Sequence, residues 1–178
     1  NASYTQLMYW QFYTKSQYFR ETNYEPYLFL KYRIHRNIFA DIGVAHQSNG
    51  RGGDLERSWN RIIGTVEYTG KNWYTQFTLW TLIFQSESSD LHNPDIAHYL
   101  GRSFVVLSYK LSNFVLSLEM QNLESLLKRG HVMVTTSYPV NDQIGLFLQY
   151  FSGYGQSQIE YNHRTQSAGV GIIFNDWQ

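Results

Sequence analysis

Asp41-Ile42-Gly43-Val44-Ala45-His46-Gln47-Ser48 and, after a polar loop, Asn60-Arg61-Ile62-Ile63-Gly64-Thr65-Val66-Glu67-Tyr68 alternate residue by residue. In a β-strand residues i and i+2 project from one face. One face of the first run therefore carries Ile42, Val44, His46 and Ser48, and the other Asp41, Gly43, Ala45 and Gln47. In the second run Asn60, Ile62, Gly64, Val66 and Tyr68 oppose Arg61, Ile63, Thr65 and Glu67. Later, Phe114, Leu116, Leu118 and Met120 oppose Val115, Ser117, Glu119 and Gln121, and Ala168, Val170, Ile172 and Phe174 oppose Gly169, Gly171 and Ile173. No long stretch repeats at 3.6 residues, so the chain reads as all-β.

About ten strands are expected, at roughly 2–14, 22–34, 38–48, 58–69, 72–85, 98–110, 113–122, 130–138, 143–152 and 158–175. Short turns fall at His35-Arg36-Asn37, Thr69-Gly70-Lys71-Asn72, Leu111-Ser112-Asn113 and Pro139-Val140-Asn141-Asp142. Longer polar loops fall at 49–57, 86–95 and 123–129, where Asp90, Asp95 and Glu87-Ser88-Ser89 read as solvated. Alternating short and long connections match the two ends of an antiparallel outer-membrane β-barrel. No internal repeat, linker or second domain interrupts residues 1–178.

Composition agrees. Tyr 15, Phe 11 and Trp 5 make the chain 17% aromatic, while charged residues are 16% against a usual figure of about 25%. Aromatic girdles at two membrane interfaces account for such enrichment; an aromatic-rich soluble β-sandwich would share it. Net charge is zero, so nothing calls for a nucleic-acid partner. The absence of cysteine removes disulfides, thiolate metal sites and a cysteine nucleophile. No run of eighteen apolar residues exists for a transmembrane helix, but a barrel strand needs only ~10 alternating residues. Without an initiator Met or leader, the chain is expected to be processed or trimmed.

His46 and Ser48 share a face, and Asn60 opens the next strand on the equivalent face. Serine, imidazole and carboxamide make a nucleophile, a general base and a group that orients the base. All three stand on the apolar face, with Asp41, Gln47, Arg61 and Glu67 on the other. In a membrane barrel the apolar face meets lipid, so the constellation would face the bilayer. There a neutral amide costs less to desolvate than a carboxylate. A strand histidine with satisfied hydrogen bonds is the plainer alternative. Gly50 would let backbone approach a substrate closely, or be an ordinary turn glycine. His35, His92, His98, His131 and His163 lack metal-ligand spacing and read as turn or surface residues.

The run H-x-S-N-G-R at 46–51, the run R-S-W-N-R at 57–61 and the upstream Phe19-Arg20-Glu21-Thr22-Asn23-Tyr24-Glu25-Pro26 together resemble the outer membrane phospholipase A family of Gram-negative bacteria. The resemblance extends from Ser3-Tyr4-Thr5-Gln6 to Phe174-Asn175-Asp176-Trp177. It implies a twelve-stranded barrel, here lacking early strands, that acts as a calcium-dependent phospholipase A1/A2. It also implies a homodimer, a membrane phospholipid substrate and a bilayer setting in the outer membrane. Carried over residue by residue, it makes Ser48 the nucleophile, His46 the base and Asn60 its orienter, with the Gly50 N–H facing the oxyanion. Calcium would take the Arg51 carbonyl, a side-chain oxygen of Glu56 and the carbonyl of Ser16 of the partner subunit. The family commonly has serine at the Glu56 position, and Gly52-Gly53-Asp54-Leu55 departs from its usual loop. Carboxylates suit calcium, so Glu56 and Asp54 are candidate ligands, or else solvated loop charges.

Gln6, on an apolar face with Tyr4, Met8, Trp10 and Phe12, matches a glutamine of the family's dimer interface. The final Trp177-Gln178 departs from the aromatic last residue usual in such barrels. Two alternatives stay open: a non-catalytic pore or structural barrel, and another barrel hydrolase such as a lipopolysaccharide deacylase. The latter's motif would lie near the C-terminal strands, where none is visible.

Overall fold

The computed structural model describes residues 1–11, 15, 19–83, 92–125 and 128–174. Ten strands form one antiparallel sheet in sequence order. They are β1 (Ala2–Trp10), β2 (Phe19–His35), β3 (Ile38–Ser48), β4 (Ser58–Thr69), β5 (Trp73–Leu82), β6 (Ser103–Leu111), β7 (Phe114–Gln121), β8 (His131–Pro139), β9 (Ile144–Gly153) and β10 (Thr165–Phe174). A five-residue helix, α1 (Ile96–Leu100), precedes β6. Each strand pairs with its sequence neighbours only, as hairpin connections require.

The turns joining β2–β3, β4–β5, β6–β7 and β8–β9 are short, and every long connection lies at the opposite end. In outer-membrane barrels the long loops are extracellular. The apolar faces point away from the sheet's concave side: Leu30 is 77% exposed and Val170 76%, whereas Trp59, Ile63 and Trp80 are buried. That outward band carries aromatic pairs at its short-turn margin, with Trp73 4.4 Å from Tyr109 and Phe114 5.0 Å from Tyr138 between ring centroids. Lipid-facing aromatics at an interface have this placement.

The buried core lies inside the curl, at the long-loop end. Ile96 and Leu100, one helical turn apart on α1, pack with Ala45, Trp59, Ile63, Trp80 and Tyr161. The β9–β10 connection arches back to β2, where fully buried Glu21 accepts the N–H groups of Gln158 (2.8 Å) and Ile159 (3.1 Å). Arg20 pairs with Glu160 and the Tyr9 hydroxyl donates to the Gln156 carbonyl. These contacts join the two ends of the sheet across its mouth.

The boundaries differ from expectation in three places. Residues 98–102 belong to α1 and its C-terminal Gly101 rather than to a strand, because Ile96 and Leu100 bury one helical face. Residues 158–164 belong to the arch, held by Glu21, and β10 begins only at Thr165. At the other end β2 starts at Phe19, earlier than read, and Pro26 is accommodated within it opposite Tyr4. Positions 12–14 and 84–85, expected as strand ends, lie outside the described residues.

Candidate active site

His46 and Asn60 are direct cross-strand partners on β3 and β4, and Ser48 pairs with Ser58 two residues on. Directly opposed residues of an antiparallel pair stand close enough for short side chains to meet. His46 Nδ1 lies 2.8 Å from Asn60 Oδ1. With the amide oxygen toward the ring, Nδ1–H donates and Nε2 keeps its lone pair. His46 is exposed, and its face continues through outward Val44 and Ile42. Ser48 lies on the same face, half-buried. Beside the His46–Asn60 pair runs an outward groove of about 400 Å³, walled by Pro26, Leu28, Val44 and Ile83. An imidazole, a hydroxyl and an apolar channel therefore share one outward surface.

The loop after Ser48 is held by a buried carboxamide. Asn49 Nδ2 donates to the Leu55 carbonyl (2.8 Å), and Asn49 Oδ1 accepts the N–H groups of Arg51 (3.3 Å) and Arg57 (3.0 Å). Its own N–H reaches the Arg57 carbonyl at 3.0 Å, closing the loop base. Gly50 has φ of +60°, and a Cβ there would come within 2.8 Å of the Tyr24 ring. Both conformation and space therefore call for glycine. The Arg51 guanidinium donates to the carbonyls of Phe19 (2.9 Å) and Arg20 (2.6 Å), tying this loop to β2. Glu56 is half-buried next to Arg57, and Asp54 is exposed. The candidate calcium ligands Arg51 and Glu56 thus share one ordered loop, while Ser16 lies outside the described residues. Among the described residues no cluster of three or more His, Cys, Asp or Glu could hold a metal.

A second carboxamide reinforces the site from the loop before α1. Asn93 is fully buried; its Nδ2 donates to the Ser58 carbonyl (2.8 Å) and its Oδ1 accepts the Ser58 N–H (3.2 Å). The side chain substitutes for a strand partner at the β4 residue facing Ser48. Two residues on, Asp95 accepts the Tyr161 hydroxyl. Burial, and next the Asp95 carboxylate, push that phenol above its ordinary pKa, so it remains a neutral donor. Asp95 is exposed, as expected, and its carboxylate also ties α1 to the arch. His131, expected at a turn or surface, begins β8 and packs 4.9 Å from Phe151; Asp90 and Glu87 lie outside the described residues. Asn49 and Asn93 drew no assignment from the sequence. The available signal was an Asn in a Ser-Asn-Gly turn and an Asn before Pro, both habitual side-chain-to-backbone bonding positions. Asn93→Ala leaves a buried N–H and C=O unpaired, so a loss of about 2 kcal/mol is expected. Urea unfolding in detergent, compared with wild type, checks it; an unchanged midpoint contradicts this role.

The sequence profile of the phospholipase A1 family matches residues 1–174. The phospholipase A1 of Salmonella typhimurium is 39% identical over 98% of this chain and 62% of its own length. That of Escherichia coli K12 is 37% identical with the same coverage. The chain thus spans about three fifths of the length of these curated relatives. Among solved structures, the calcium-bound outer membrane phospholipase dimer of Salmonella typhi superposes with a TM-score of 0.87 at 38% identity, over 98% of this chain and 70% of that one. The outer membrane phospholipase A of E. coli gives 0.87 at 36% identity, over 98% and 74%. An active-site variant of the E. coli protein, carrying an asparagine-to-alanine exchange, gives 0.86. The ten-stranded sheet is accordingly that of an outer-membrane β-barrel, and the chain belongs to the phospholipase A1 family.

Proposed function

We propose that the protein is a calcium-dependent phospholipase A1/A2 that hydrolyses glycerophospholipids in the Gram-negative outer membrane and works as a homodimer. The observation that carries this reading is the 2.8 Å contact of His46 with Asn60 on a lipid-facing surface, beside an apolar groove. A soluble hydrolase would shelter that pair from hydrocarbon; here an acyl chain lies along Leu28 and Val44 and brings its ester to the pair.

Ser48 Oγ attacks the ester carbonyl while His46 Nε2 accepts its proton. Asn60 holds the imidazole with Nδ1 protonated, and the Gly50 N–H donates to the developing oxyanion. His46 returns the proton to the leaving glycerol oxygen, giving an acyl-Ser48 intermediate. Water, deprotonated by His46, then releases the fatty acid. The Arg51 carbonyl and Glu56 carboxylate are oxygen donors of the class calcium takes. They would hold the ion together with the carbonyl of Ser16 of the partner subunit. When bound, calcium supplies positive charge near the oxyanion. An oxygen set this sparse on one chain explains why dimerisation would complete the site.

The test is covalent labelling of the detergent-solubilised protein by a sulfonyl fluoride. Modification of Ser48 is expected with calcium and not with excess chelator. Absence of label at Ser48 under both conditions refutes the nucleophile; equal labelling under both refutes the calcium requirement.

Gln6 bears on the dimer. It sits outward on β1 among exposed Tyr4, Met8 and Trp10, and its Oε1 accepts the Tyr4 hydroxyl at 3.2 Å. An amide in hydrocarbon gains from a second copy's amide, by about 0.6–2 kcal/mol. Gln6→Ala is therefore expected to weaken dimerisation roughly three- to thirtyfold with the barrel intact. Crosslinking in detergent measures this, and wild-type yields across a dilution series would count against it.

A further inference from the structure

The mouth of the sheet carries a cationic cluster in the connections before β8 and β10, remote from the candidate active site. Lys128, Arg129 and Arg164 border a cavity of about 150 Å³ over the start of β8 and the end of β9. Lys128 and Arg129 also border an adjoining recess of about 540 Å³ with Arg102 and His98. The ion pairs among the described residues join Arg20 to Glu160, Lys31 to Glu67, Arg61 to Glu25 and His92 to Asp54. Lys128, Arg129 and Arg164 thus have no carboxylate partner there, while the charge of Arg102 acts on Glu124. Arg129 lies 5.1 Å over the Tyr99 ring, which fixes its position without neutralising it. The one carboxylate bordering the recess, Glu124, accepts the Ser103 hydroxyl and the Arg102 backbone N–H, and its charge offsets that of Arg102 on the side away from Arg164. His131 Nδ1, buried without a hydrogen-bond partner, belongs to a residue lining the smaller cavity.

What lies below these cations distinguishes the cluster from an ordinary basic rim. Val132, Ser152 and Gln166 form one cross-strand row; Val134, Tyr150 and Ala168 form the next, and Thr136, Leu148 and Val170 the third. Val134, Tyr150, Leu148 and Val170 are exposed, so these rows face the bilayer. Moving away from the loops, the surface passes from cations to a row with Ser152 and Gln166 beside Val132, and then to rows dominated by Val134, Tyr150, Leu148 and Val170 with Thr136 among them. A phosphorylated amphiphile has the same order: phosphate, polar head, acyl chains. Free phosphate matches only the first of these layers.

We infer that Lys128, Arg129 and Arg164, above the outward faces of β8–β10, form a binding site for a phosphorylated glycolipid of the outer leaflet. Its phosphate sits among the cations and its acyl chains run along Val134, Leu148 and Val170. Guanidinium groups suit phosphate through paired N–H donors, and the ammonium of Lys128 adds a point charge. β5, β6 and β7 separate this surface from the His46–Asn60 pair on β3 and β4, so a lipid bound here does not occupy the candidate active site.

The experiment is native mass spectrometry of the full-length detergent-solubilised protein, titrated separately with lipid A, enzymatically dephosphorylated lipid A, phosphatidylethanolamine and inorganic phosphate. Lipid A is expected to bind with at least tenfold preference over its dephosphorylated form. Each cation removed is expected to weaken binding about tenfold, so the Lys128→Gln/Arg164→Gln double variant loses about a hundredfold. Both side chains are exposed, and circular dichroism on heating checks that the fold persists. Equal binding of the two lipid A forms, undiminished binding by the double variant, or inorganic phosphate as tight as lipid A each overturns the proposal. The readout is binding alone, so it stands or falls separately from hydrolysis.

Discussion

Ser48→Ala is expected to lower phospholipid hydrolysis by about 10⁴-fold or more, with the barrel unchanged. Removing the nucleophile of a serine hydrolase leaves only what oxyanion stabilisation and binding contribute. The structure makes this a clean substitution. Among the described residues the Ser48 hydroxyl has no hydrogen-bond partner, His46 included, whose bond goes to Asn60, so alanine orphans nothing and changes little volume. A structural role predicts a stability change with little effect on rate; the proposed role predicts the reverse. Asn60→Ala is the companion measurement. It removes the 2.8 Å contact that fixes the imidazole, and a misaimed base costs about 10²-fold in kcat, with KM little altered because the groove remains. Initial rates on mixed micelles with calcium, beside thermal unfolding of both variants, decide the matter. Wild-type rates for Ser48→Ala would exclude Ser48 as the nucleophile, and no hydrolysis by the unsubstituted protein would place it among non-catalytic barrels.

The period-two alternation made ten strands legible because lipid outside and packed or polar groups inside impose opposite demands on successive residues. The Asp41–Ser48 and Asn60–Tyr68 runs needed nothing more; their register follows from keeping Ile42, Val44, Ile62 and Val66 outward. His46 facing Asn60 followed from that register. Where alternation failed as a guide, another force shaped the backbone. At 158–164 the buried Glu21 carboxylate collects backbone N–H groups from 137 and 138 residues away, and no local pattern announces such a contact. At 96–100, Ile96 and Leu100 occupy positions i and i+4, but five residues are too few to separate a helix from a strand end by periodicity. Asn49 and Asn93 carried only a local turn signal, for a related reason. Their importance lies in which backbone groups they satisfy, a property of the loop's path rather than of residue type.

The second large effect concerns the inner face of the same ladder. Between the outward pairs His46–Asn60 and Ser48–Ser58 stands the inward pair Gln47–Trp59, and Ala45–Arg61 follows. Arg61 is buried between Trp59, 4.2 Å from its ring centroid, and Trp80, at 5.7 Å. Its guanidinium reaches Glu25 at 3.0 Å, and Gln47 Oε1 accepts from Trp59 Nε1 at 2.5 Å. This cluster links β2, β3 and β4 from inside while the candidate active site lies outside. Deleting one member of a buried ion pair strands the other charge, at a cost of about 3–5 kcal/mol. Glu25 retains some solvent contact, so Glu25→Ala is expected near the lower end, at about 3 kcal/mol, read from the urea midpoint and slope. Glu25→Leu combined with Arg61→Met removes both charges and fills much of their volume, so most of the stability should return. If the single and double variants are equally unstable, packing of the Arg61 stem against Trp59 is the dominant contribution, and the ion pair is incidental. If the double variant regains stability but hydrolyses lipid more slowly, the inner charge pair holds the β3–β4 ladder in the geometry that His46 and Asn60 require.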